Sequence, residues 1–144
     1  MQEERNVGGP TEATEQMSAQ DEKTWSVVAH LSVLAALVGL MPFGALLVWL
    51  LYKDRSQRVR FHAAQAFWYQ VAWIVIFFVY ALVTVVLSIV TIGMAAIVLV
   101  PLAFLLALVP LAHGCYAAYK VNQGEEYRYP FIADRVDGGA RRVF

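Results

Sequence analysis

The sequence predicts an all-α integral membrane protein, a four-helix bundle with a short first hairpin, a long second hairpin and both termini in the cytoplasm. Hydrophobic residues make up 60% of the 144 residues and charged residues 15%, whereas soluble domains contain about 45–50% and about 25%. The charges are also segregated, because residues 24–52 and 61–119 contain no Asp, Glu, Lys or Arg. The length indicates one domain, and both uncharged blocks are long enough to enter a bilayer.

The N-terminal part is predicted to be a disordered acidic tail at residues 1–18, followed by a first helix at about 19–39. The tail is polar and offers too little apolar surface to order itself. Ser18 followed by Asp21 fits a helix N-cap with an acid in the first turn. The acidic start resembles neither a secretory signal nor an organelle transit peptide. We therefore expect the first apolar block to be retained.

The segment at residues 39–44 interrupts the first apolar block and leaves two topologies open. Pro42 lacks a backbone donor and lies between two glycines, which favours a turn. With a turn, a short second helix at about 43–53 returns to the first side, and the chain has four membrane helices. With only a kink, one long helix crosses the bilayer, the N-terminus lies outside, and the chain has three.

The third and fourth helices are predicted to form the long hairpin. Ser56 is a favourable N-cap for a helix at about 57–90. An uncharged turn at 91–93 then leads into a helix at about 94–122. Both helices exceed the roughly 20 residues that a membrane span needs.

The fourth helix contains two prolines and ends at a glycine. Pro101 and Pro110 are tolerated in a membrane helix where neighbours satisfy the freed carbonyl groups. Gly124 is a typical C-terminal stop. Residues 123–144 mix charged and aromatic side chains, and we expect them at the interface or in the cytoplasm.

Basic residues flank the long hairpin on one side. Residues 53–60 contain four bases and one acid, and residues 120–144 contain five bases and four acids. Cytoplasmic loops carry an excess of Lys and Arg, so both segments are placed in the cytoplasm. We expect a multi-pass protein of a bacterial inner or plasma membrane, with the lipid bilayer as its main partner.

Polar and aromatic side chains recur along one face of the third helix at spacings near three, four and seven residues. At 100° per residue they share one sector of the helix. This stripe comprises His62, Gln65, Tyr69, Trp73, Tyr80, Thr84 and Ser88. Two interpretations stay open: a hydrophilic lining or substrate-facing groove, or a face that packs against other helices, as hydroxyl-bearing residues do in membranes.

The three histidines, His30, His62 and His113, lie on one side of the membrane in the four-helix topology. A metal or proton site is one interpretation, because imidazole binds metals and titrates near neutral pH. No HExxH motif or carboxylate cluster accompanies them. We therefore expect interfacial or hydrogen-bonded packing roles, with no catalytic residue, metal or cofactor.

Aromatic and basic residues near the charged segments are predicted to anchor the chain among lipid headgroups. These interface anchors are Trp25, Arg58, Arg60, Tyr119, Tyr127, Arg128 and Tyr129. Because the basic residues are few and lie beside the membrane, no nucleic-acid partner is expected.

Three segments occur in a particular order and spacing. The first is the hairpin "TWSVVAHLSVLAAL…PFGALLVWLLYKDRS", the second is "VRFHAAQAFWYQ" at the start of the long helix, and the third is "AAYKVNQGEEYRYPFI" after the last helix. Together they resemble the bacterial relatives of the twenty-kilodalton subunit of the chloroplast inner-envelope protein translocon (Tic). The resemblance covers residues 24–132, approximately.

The resemblance implies four membrane helices and a non-enzymatic component of a membrane complex that handles polypeptides. Such a role requires other membrane proteins or self-association, because four helices are too few to enclose a wide pore. The alternative is an oligomeric permease for small solutes or ions, which the lack of charge in residues 61–119 disfavours for coupled ion transport. A third hypothesis is an intramembrane metalloenzyme that uses the three histidines.

Overall fold

The computed structural model describes residues 17–140, with side chains to Asp137. The elements in chain order are α1 (Ala19–Leu31), the 3₁₀ helix η1 (Ser32–Val38), α2 (Phe43–Tyr52), α3 (Gln57–Val90), α4 (Met94–Asn122) and α5 (Ala133–Ala140). The described residues contain no strand, so the predicted all-helical class is confirmed. The predicted disordered tail lies almost wholly outside the described range.

Local chemistry sets the ends of the helices. The Ser18 hydroxyl accepts a hydrogen bond from the backbone N–H of Asp21 at 3.1 Å, and the Ser56 hydroxyl accepts one from the N–H of Val59 at 3.2 Å. These bonds satisfy donors that a helix start leaves free. Gly124 follows α4 with φ +88°, a left-handed conformation that favours glycine.

The first helix differs from the single helix predicted at 19–39, because the α-helix gives way to the tighter η1 at Ser32. The Ser32 hydroxyl donates to the carbonyl oxygen of Ala29 at 2.7 Å, and such back-bonding competes with the regular helix ladder. The returning α2 also approaches here, since a Cβ on Gly44 would lie 2.6 Å from the Ser32 Cβ. Gly39, with φ +74°, ends η1.

The long hairpin of α3 and α4 has a length and composition compatible with membrane insertion. The two helices have 34 and 29 residues and apolar stretches with mean hydropathy 2.8 and 2.7. At 1.5 Å per residue they measure about 51 Å and about 44 Å, which exceeds the roughly 30 Å hydrocarbon core. The chain is therefore a membrane protein. By the same rise, the ten-residue α2 measures only about 15 Å.

The buried core lies at one end of the long hairpin, where the charged segments are. There α1 packs against both α3 and α4, and the buried residues of α3 all lie between Val59 and Gln70. Gly114 of α4 allows close approach, because a Cβ there would lie 2.5 Å from Cγ1 of Val33. The opposite end is exposed, with Ile92 in the turn between the long helices 94% exposed. We call these the charged end and the uncharged end.

Candidate functional site

A largely buried cluster of polar and aromatic side chains joins α1, α3, α4 and the segment after α4 at the charged end. We call it the polar network. Its members are His30, His62, Gln65, Tyr69, His113, Tyr127 and Tyr129. His30, His62 and Gln65 are 0% exposed and Tyr129 is 1% exposed. Buried polar groups are almost always hydrogen-bonded. The hydrogen bonds between these side chains therefore determine how the site is arranged.

The Gln65 amide connects α3 to the segment after α4. Its Oε1 accepts the backbone N–H of Tyr129 at 3.2 Å, and its Nε2 donates to the backbone carbonyl of Tyr127 at 2.8 Å. The two backbone groups fix which end of the amide is oxygen and which is nitrogen. The second Nε2 hydrogen then points to Nδ1 of His62, 3.1 Å away.

The orientation of Gln65 determines the tautomers of two neutral histidines. An amide nitrogen only donates, so Nδ1 of His62 is an acceptor. Nε2 of His30, 3.2 Å from that same Nδ1, must then carry a proton and donate. The remaining Nδ1 of His30 accepts the hydroxyl of Tyr129 at 3.2 Å. A directed chain of hydrogen bonds therefore runs from Tyr129 through His30 to His62.

The two ends of this chain of hydrogen bonds differ. Burial raises the pKa of the Tyr129 hydroxyl, so it stays protonated and able to donate. Nε2 of His62 is buried and has no hydrogen-bond partner within the described part of the chain. The network thus has one free donor, at its α3 end.

The third histidine belongs to a second branch of the network. Nδ1 of His113 is 2.8 Å from the Tyr69 hydroxyl, and its Nε2 is hydrogen-bonded to the Tyr127 hydroxyl. The rings of Tyr69 and Tyr129 stack with centroids 4.2 Å apart and planes 11° apart. This stacking joins the two branches.

The three histidines do not converge on a common point. Both ring nitrogens of His30 and of His113 are engaged in hydrogen bonds with protein groups. Among the described residues, no group of three or more His, Cys, Asp or Glu is arranged to hold a metal ion. The chemistry of the network is hydrogen bonding between helices.

The hydrogen bond between Gln70 and Ser32 was not predicted from the sequence. Nε2 of Gln70 donates to the Ser32 hydroxyl at 3.0 Å and so connects α3 to η1. The available signal was Gln70 itself, because an amide inside an uncharged membrane block requires a hydrogen-bond partner.

The predicted stripe on α3 faces other protein elements near the charged end and a groove farther along. His62, Gln65 and Tyr69 belong to the polar network, and Trp73 packs edge-on against Tyr69. The second half of the stripe faces α4. It consists of Tyr80, which donates to the carbonyl of Leu99 at 2.7 Å, and of Thr84 and Ser88, whose buried hydroxyls have no partner among the described residues. A groove of about 510 Å³ lies along this half, between α3 and α4.

Four predicted interface anchors lie near the surface of the charged end. Trp25 packs on Tyr52 with ring centroids 4.5 Å apart. Arg58 and Arg60 are half-buried in the first turn of α3. Tyr119 is 57% exposed on α4, as an anchor requires.

The anchors after α4 are placed differently from one another. Tyr129 lies in the interior instead of at the lipid surface, because Gln65 binds its backbone and His30 its hydroxyl. Tyr127 is half-buried against His113. Arg128 is exposed and forms ion pairs with two acids of α5, Asp134 at 3.0 Å and Asp137 at 2.6 Å. These three residues do not belong to the polar network.

The Gln65→Met substitution tests whether the amide holds the segment after α4 in place. It removes partners from two backbone groups, and a buried polar group left unpaired costs about 1–3 kcal/mol. We expect trypsin to cleave after Arg128 and Arg135 roughly tenfold faster in membranes of this variant. The matched control is Gln57→Met at the exposed start of α3. Equal cleavage rates in both variants would contradict the assignment.

Comparison with known proteins places the chain in a family. The profile of the magnetosome magnetite crystal formation protein family, MamF/MmsF, matches residues 21–136. No curated protein and no solved structure matches the sequence.

This match overturns the resemblance described from the sequence. The three segments do not make the chain a relative of the Tic subunit, and the roles in protein transport that followed from that resemblance are wrong. The permease alternative has no support either. Since the matched region contains α1 from Asp21 onward, all of α2 to α4 and the whole polar network, the chain belongs to the magnetosome magnetite crystal formation protein family.

Proposed function

We propose that this chain acts in magnetosome magnetite crystal formation as a non-enzymatic, multi-pass component of the membrane. The family match over residues 21–136 carries this proposal. It includes every described membrane helix and reaches into α5. The region that the family shares is therefore nearly the whole helical structure, together with the hydrogen bonds that hold its charged end.

The engagement of the network's polar atoms supports a structural role. Gln65 uses its oxygen and both amide hydrogens on groups of the protein itself. His30 and His113 use both ring nitrogens in the same way. Groups satisfied by one another stabilise one arrangement of the helices and are not free to bind or activate a substrate.

We place the charged end, with both termini, on the cytoplasmic side of a four-helix bundle. The turn between α2 and α3 supports this orientation because residues 53–60 contain four bases and one acid, and basic loops favour the cytoplasm. The turns at 39–42 and 91–93 contain no charged residue. In this orientation, the far side of the membrane meets the uncharged turn at 91–93, whereas α2, about 15 Å long, is too short to carry the turn at 39–42 across the bilayer. The chain would then influence the crystal through the membrane and its neighbours.

Cysteine labelling tests the orientation and the number of spans. In a Cys115→Ala background, a membrane-impermeant maleimide should label Ile92→Cys in intact spheroplasts. It should label Asp54→Cys and Ala19→Cys only after lysis. Labelling of Ala19→Cys in intact spheroplasts would support three spans instead of four, and the reverse pattern at Asp54 and Ile92 would invert the orientation.

Deletion and complementation in a magnetosome-forming cell test the function. We expect deletion of the gene to give fewer or smaller magnetite crystals by electron microscopy, and the intact gene to restore them. Gln65→Met should restore them less well than its control Gln57→Met when both proteins are present in the membrane at equal amounts. Unchanged crystals in the deletion strain would refute the proposal.

A further inference from the structure

A groove of about 450 Å³ lies between α3 and α5 at the charged end. It is lined by Trp68, Val71, Ala72, Ile132, Arg135 and Val136. Its volume falls in the range of about 300–1,000 Å³ that is typical of ligand sites. Trp68 is 55% exposed, so the groove opens toward the surroundings of the hairpin.

The charges of α5 are divided between two faces. At 100° per residue, Arg135 lies on the same side of the helix as Ile132 and Val136, which line the groove. Asp134 and Asp137 lie on the other side and are held by the Arg128 guanidinium. Arg135 forms no ion pair with the part of the chain whose side chains are described. Among the described residues, it is the only charged one that lines the groove.

The α3 side of the groove runs along the helix from Trp68 to Ala72. Arg60 is the last charged residue of α3. Trp68 follows it by about 12 Å along the helix and Ala72 by about 18 Å. Tryptophan prefers the membrane interface, and an alanine one turn deeper faces acyl chains. The groove thus combines one arginine with apolar residues of α3 at the depth where headgroups give way to acyl chains.

We infer that this groove binds one phospholipid with an anionic headgroup. The Arg135 guanidinium donates hydrogen bonds to the phosphate, for which its planar fork is well suited. One acyl chain lies against Trp68, Val71 and Ala72. Five of the six lining residues are apolar. A free phosphate ion would leave this apolar surface uncovered, whereas an acyl chain of a lipid covers it.

Native mass spectrometry of the purified full chain in neutral detergent tests the inference. The probes are phosphatidylglycerol and phosphatidylcholine with identical oleoyl chains, each with and without excess inorganic phosphate. Arg135→Gln removes the charge, and its control is Arg55→Gln in the exposed turn before α3. Ala72→Phe fills the apolar part, and its control is Ala112→Phe at an exposed position of α4. Thermal melting confirms that each variant is folded.

We expect phosphatidylglycerol to bind about fivefold more tightly than phosphatidylcholine, with no displacement by inorganic phosphate. Arg135→Gln should abolish this preference, Ala72→Phe should weaken both lipids, and the two controls should match the unchanged protein. Equal binding of the two lipids by the unchanged protein would overturn the inference. So would equal losses in Arg135→Gln and Arg55→Gln, or displacement of the lipid by inorganic phosphate.

Discussion

The side-chain amide of Gln65 is the interaction on which the charged end depends. It binds the backbone at Tyr127 and Tyr129, which are 62 and 64 residues away, and it orients the ring of His62. A buried amide without partners costs free energy comparable to one or more lost hydrogen bonds. Gln65 therefore stabilises only those arrangements in which the segment after α4 returns to α3. The tautomers of His30 and His62 follow from the same amide.

The bilayer explains why polar contacts specify this structure. Lipid chains are as apolar as leucine, so burial of apolar side chains does not drive membrane helices together. The outer parts of α3 and α4 accordingly expose large apolar residues, such as Phe78 and Phe104. At the charged end, the helices are held together by close packing at Gly114 and by the hydrogen bonds of the polar network. Close packing and hydrogen bonding join the same helices there. Together they stabilise one arrangement of α1, α3 and α4 over its alternatives.

The helix boundaries were accessible from the sequence because the signals are local. Ser18 and Ser56 act on backbone groups three residues away, and Pro42 acts on its own turn. The change to η1 was missed because it depends on the approach of Gly44 to Ser32, a contact between two helices. The all-helical class followed from the apolar composition and from the two long uncharged blocks.

The site was less accessible because its members are distant in the chain. His30 and Tyr129 are 99 residues apart, and no spacing rule joins them. Tyr129 was assigned to the lipid interface because an aromatic residue beside Arg128 fits a headgroup belt. Its burial depends on the hydrogen bond between its backbone N–H and Gln65, which is 64 residues away in the chain. The segments that resembled the Tic subunit are helix starts, turns and ends of the kind that many membrane hairpins require, so they did not distinguish the correct family.

The protonation pattern of the histidine rings tests most directly whether Gln65 orients the polar network. Nitrogen NMR of the full chain, labelled with ¹⁵N at histidine and studied in a bilayer at neutral pH, reports which ring nitrogens carry hydrogen. We expect that Nε2 of both His30 and His62 is protonated, that both Nδ1 atoms are not, and that a scalar coupling crosses the hydrogen bond from His30 to His62. A protonated Nδ1 on His62 would contradict this expectation, because the Gln65 amide could not then donate to that ring.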